Sequence, residues 1–157
     1  MYKQKNMSEK WFWFLSFIWS TKLTVIGLIV GAILTSLGYN KYKYHYSYVF
    51  EIGDNWGGLT LGPVIIVNRN PSKNLLNHEF GHSLQNCYFG DCMIFITLWS
   101  IARYWFREFI KRDIYSLPQF LQSVKSLFKY YELPSYDSIW FEGTATFLGE
   151  RFERGRV

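Results

Sequence analysis

From Trp11 to Tyr39 the chain reads WFWFLSFIWSTKLTVIGLIVGAILTSLGY, and its only charge is Lys22. The predominantly apolar run from Leu23 to Tyr39 approaches the about 20 residues that cross a bilayer core. The aromatic part before Lys22 suits the membrane interface, where Trp keeps one end in an apolar phase and the other in water. The segment is therefore expected to be a retained membrane helix. A cleaved signal peptide fits less well, because the apolar part is long and LTSLGYN is a poor cleavage site. A buried core helix is the remaining alternative. The flanking lysines, Lys3, Lys5 and Lys10 before and Lys41 and Lys43 after, do not orient the segment.

The pattern then changes period. Tyr42, Tyr44, Tyr46 and Tyr48 alternate with Lys43, His45 and Ser47, the spacing of an extended strand with one aromatic and one polar face. After the turn-like GDNWGG, Leu59 to Asn68 reads as a second strand, whose first half Pro63 confines to an edge or a bulge. Ser72 is placed to cap a helix that runs to Phe89 and ends at Gly90. Met93 to Phe109 is strongly apolar yet carries Arg103 and Arg107, which suits a packed or half-immersed helix better than a second crossing. Pro118 to Tyr131 shows helical amphipathic spacing, and a last helix follows Asp137, a candidate N-cap. The expected fold is α+β and mainly helical, with a short β-hairpin or small sheet. Residues 1–40 form an aromatic-rich membrane segment and residues 41–157 the functional domain.

Composition adds to this picture at two points. Aromatic residues make up 21% of the 157-residue chain, which reinforces the interfacial reading. The net charge of +5 suits anionic lipid headgroups, and the absence of a dense Lys/Arg stripe argues against a nucleic-acid partner. Cys87 and Cys92 are too few for a disulfide framework and read as two idle thiols.

The candidate chemistry sits in LLNHEFGHSLQN. His78 and His82, four residues apart on a helix, direct both imidazoles to one point. Glu79 projects about 100° around the axis, toward the position of a bound water. Each residue of H-E-x-x-H thus has a role in zinc-assisted hydrolysis, with Glu79 as general base. Gly81 permits close approach of a neighbouring backbone, and Gln85, one turn on, can support a ligand. A catalytic zinc takes three protein ligands and a water. The extended motif with a third histidine is excluded, since position 85 is Gln and position 88 is Tyr. His45 suits an oxyanion contact better than ligation. Among the carboxylates, Glu142 stands out: it lies amid Trp140, Phe141, Phe147 and Leu148, where an unpartnered charge is costly. Glu142 is the expected third ligand.

HEFGH followed by a later helix with Glu-x-x-Ala-x-x-x-Gly resembles the gluzincin class of zinc metallopeptidases. It is similar also to small, uncharacterised, membrane-associated bacterial proteins with an LLNHEYGH-x-x-Q core and a late E-x-x-A-D-x-L-G helix. The resemblance spans about Leu59 to Arg151 and rests on those two short motifs. It implies a zincin-like core, His78, His82 and Glu142 as zinc ligands, Glu79 as base, and a peptide or protein substrate near a membrane. One position departs: Thr146 stands where the pattern has Asp, which would fix a ligand histidine with a charge. The resulting expectation is a membrane-anchored zinc metallopeptidase, held by one span or at the interface. The alternative is a catalytically idle zinc-binding module that works through protein or membrane contacts.

Overall fold

Both stretches expected as single strands fold back on themselves. In the computed structural model, which describes residues 7–54, 56–111 and 140–155, the tyrosine-rich stretch is a hairpin of β1 (Lys41–Tyr44) and β2 (Ser47–Glu51). It reverses at His45, whose φ is +49°. Period-two alternation fixes which side chains share a face but not where the chain turns, so one strand and two short ones read alike. The second stretch is likewise a hairpin of β3 (Gly58–Leu61) and β4 (Val64–Val67), turning at Gly62 and Pro63. Gly62 has φ +59°, open to glycine at little strain. β2 and β4 pair in parallel, giving one mixed sheet in the order β1-β2-β4-β3. β3 is therefore an edge strand, as Pro63 suggests.

The central strands are covered on both faces, which explains the unbroken apolar run Val64-Ile65-Ile66-Val67. On one face Val49, Ile65 and Val67 pack with Phe80, Leu84 and Cys87 of α3 (Lys73–Phe89). Phe12 of α1 (Glu9–Ile18) and Phe152 of α5 (Trp140–Glu153) complete that cluster. On the other face Phe50, Val64 and Ile66 pack with Leu34 of α2 (Thr21–Ser36). A short 3₁₀ turn, Gly90–Cys92, leads from α3 into α4 (Met93–Lys111). The protein is thus α+β, a small mixed sheet between helical layers.

Residues before position 40 share core clusters with later ones. Phe12 is fully buried and stacks on Phe80, and α2 buries Leu23, Thr24, Gly27, Gly31 and Leu34. Among the described residues no single helix is long and apolar enough to cross a membrane. α1 and α2 pass that test only together, and they are bent by 105°. The apolar character of Leu23 to Tyr39 is spent in part on the sheet, a use that hydropathy cannot separate from lipid contact.

Ser72 caps α3, its hydroxyl accepting from the Leu75 N–H at 3.2 Å, and Gly90 ends it at φ +59°. Cys87 is buried and Cys92 exposed, both as free thiols. The helix expected at Pro118 to Tyr131 and the Asp137 cap lie outside the described residues.

Candidate metal centre

α3 and α5 lie against each other so closely that backbone meets backbone. A Cβ at Gly81 would fall on the Ala145 carbonyl, and one at Gly149 on the carbonyl of Asn77. Polar contacts fix the same interface near its rim. Tyr44 donates to Asn77 Oδ1 at 2.5 Å, Asn77 donates to Glu153 at 2.6 Å, and Lys73 pairs with Glu153. Because the helices approach so closely, a side chain on α5 reaches the face of α3 that carries His78 and His82.

That side chain is Glu142, in the first turn of α5 and fully buried. Its Oε2 lies 3.2 Å from His78 Nε2 and 3.1 Å from His82 Nε2, and one ligand atom from each residue lies within 4.8 Å of the others. Two atoms each about 2.0–2.1 Å from a tetrahedral zinc stand about 3.3 Å apart, so these separations suit a shared ion.

The outer nitrogens of both rings are also held. The Gln85 amide N–H donates to the Phe141 carbonyl at 2.6 Å, so its oxygen faces His82 Nδ1 at 2.8 Å. An amide oxygen only accepts, so His82 Nδ1 carries a proton, and the neutral ring presents the Nε2 lone pair inward. Thr146 Oγ1 donates to the Glu142 carbonyl at 3.4 Å and lies 2.8 Å from His78 Nδ1, where it can accept the ring proton of the same tautomer. Three electron-pair donors therefore face one another in a buried space, an arrangement that calls for a cation between them. The residues present fit a metal ion.

Burial pushes the Glu142 carboxyl up, but the His78 and His82 rings and the Ser100 hydroxyl beside it outweigh this and hold the group well below the usual carboxylate range. Burial pulls His82 down, and the neighbouring Glu142 and Glu79 carboxylates more than reverse this, so its pKa is raised.

Two contributors had no clear mark in the sequence. Ser100 of α4 donates to Glu142 Oε1 at 2.6 Å, which leaves Oε2 alone to face the histidines. The available signal was slight: Thr97 and Ser100, three apart in an apolar helix, both line the site cavity. Ser100→Ala should loosen Glu142 and weaken metal affinity by about tenfold, measured by competition with a chelating dye; unchanged affinity would remove Ser100 from the ligand's support.

Thr60 of β3 is the second. Its Oγ1 lies 2.6 Å from Glu79 Oε2 and 3.0 Å from the Glu79 carbonyl. Gly58 packs on the same carboxylate so tightly that a Cβ there would collide with it. Glu79 is nearly buried and shares a cavity of about 1090 Å³ with His78, His82 and Thr146. Trp56, Leu59, Leu75, Ile96, Trp105 and Phe141 make its walls largely apolar.

His45 is not brought to this site. It sits at the β1–β2 turn among the rings of Tyr44, Phe80 and Phe152, and it does not line the cavity. The turn, which strand alternation did not reveal, carries it onto the core cluster, where burial lowers its pKa. At that position His45 offers the cavity no oxyanion contact.

Comparison of the chain with protein-family models, curated proteins and solved structures finds no match.

Proposed function

We propose that this chain is a zinc-dependent metallopeptidase of gluzincin type, with a zincin-like core, acting at a membrane. The observation that carries the reading is the convergence of Glu142 on His78 and His82, which line one cavity with Glu79. Zinc, if held by these three side chains, would supply Lewis acidity and lower the pKa of a bound water. Glu79 takes the proton of the attacking water and returns it to the leaving amine. Thr60 occupies its Oε2, so Oε1 is the oxygen that carries the proton. Gly57 to Thr60 line the cavity along edge strand β3. A peptide paired with that edge by β-augmentation lies extended beside the ligands. Thr146 performs the orienting task of the expected Asp without its charge, through the bond to His78.

The test is removal and restoration of metal. Chelated protein should cleave no member of a broad peptide library, and zinc, taken up at about one ion per chain, should restore cleavage. Protein that takes up zinc and cleaves nothing would favour the idle metal-binding module. Folded protein that takes up no metal would overturn the metal reading itself.

A further inference from the structure

The outward sides of α1 and α2 carry what a helix facing water lacks. α1 buries Phe12 and Ser16 and turns Trp11, Phe14, Phe17 and Ile18 outward, with Ile18 69% exposed. α2 buries its small-residue side and turns Val25, Ile26, Ile29 and Ile33 outward, with Ile29 55% exposed. Polar residues normally occupy such faces, and large exposed apolar surfaces mark contact with a partner or a membrane. From Trp11 to Tyr39 the sole charge is Lys22, and exposed Lys10 and Lys41 bracket the segment. Apolar side chains without polar groups to orient a protein partner, bounded by cations, complement a bilayer with anionic headgroups.

We infer that the α1–α2 corner is a monotopic anchor, seated in one leaflet of an anionic bilayer and not crossing it. Length is the first reason. The 16 residues of α2 rise about 24 Å, short of the about 30 Å hydrocarbon core. The second reason is that neither helix is free to straighten. A Cβ at Gly27 would strike the Leu61 carbonyl, so α2 rests on the β3–β4 turn backbone to backbone. The corner itself is pinned: Ser20 donates to buried Asn86, Asp91 N–H donates to the Trp19 carbonyl at 3.0 Å, and Thr24 donates to the Ser16 carbonyl at 2.9 Å. Extending the pair across a bilayer would strip Phe12 from one core cluster and uncover Phe50, Val64 and Ile66 in the other. Lying in the interface requires none of this.

This placement rests on the proposed membrane association and is independent of the peptidase chemistry. The full chain is mixed with sealed phosphatidylcholine–phosphatidylglycerol vesicles, with phosphatidylcholine alone for comparison. It should float with the anionic vesicles and bind the neutral ones several-fold more weakly. Phe14→Glu combined with Ile29→Glu should lower vesicle binding by about tenfold or more while circular dichroism stays unchanged. Thr21→Cys and Ser36→Cys, at the two ends of α2, are then compared in a Cys92→Ser background. An impermeant maleimide added outside should label both to the same extent. Labelling of one end only would mean that α2 crosses, overturning the monotopic anchor while leaving membrane association intact. Failure to float with either vesicle, with the outward residues protected in a dimer, would make the face a protein interface and overturn both.

Discussion

Glu79→Gln is expected to leave zinc bound at the wild-type level and to lower peptide hydrolysis by about a thousandfold, the middle of the range for a positioned general base. The substitution is close to isosteric. A glutamine oxygen still accepts from Thr60 Oγ1, and none of the three candidate ligands is touched. What disappears is the ability to take a proton, because a neutral amide is not a base at any working pH. Metal analysis and turnover of a peptide cleaved by the wild type check the two halves separately. Turnover within about tenfold of wild type would remove Glu79 from the chemistry, while loss of zinc would show that Glu79 supports the site instead.

Gly81→Val is expected to destabilise the fold by at least about 3 kcal/mol and to empty the metal site together. For a chain of this size that is a fall in Tm of about 6–12 °C. The side chain would enter the Ala145 carbonyl, and backbone held in two packed helices does not yield as a flexible side chain does. The helices must separate, and Glu142 then retreats from His78 and His82, which sit on opposite sides of the same contact from it. Thermal melting with and without zinc checks this. A variant with wild-type Tm and zinc affinity would mean that the close approach is not what aligns the ligands.

The two predictions probe parts of the site that differ in how far the sequence discloses them. H-E-x-x-H states its own geometry, since residues four apart on a helix face one way whatever surrounds them. Glu142 was legible through its surroundings, a carboxylate in an apolar helix with small residues beside it. Ser100 and Thr60 were not legible, because each acts across a contact between elements far apart in sequence, and serine or threonine in an apolar stretch has many uses. His45 was misplaced for a local reason: a two-residue reversal leaves the tyrosine alternation intact while turning the histidine onto the core.

By itself the sequence determined the α+β class, the capped helix carrying two histidines and a glutamate, and the carboxylate to set opposite them. These follow from periodicity, spacing and the penalty on buried charge, all local quantities. Only the tertiary structure decided that each strand stretch is a hairpin, and that α2 spends one side on the sheet. It also decided which ring each supporting side chain meets, Gln85 at His82 and Thr146 at His78. Those outcomes depend on which surfaces meet, and hydropathy records only that a surface must be covered. For α2, the close backbone contact of Gly27 with the Leu61 carbonyl sets one side against the sheet.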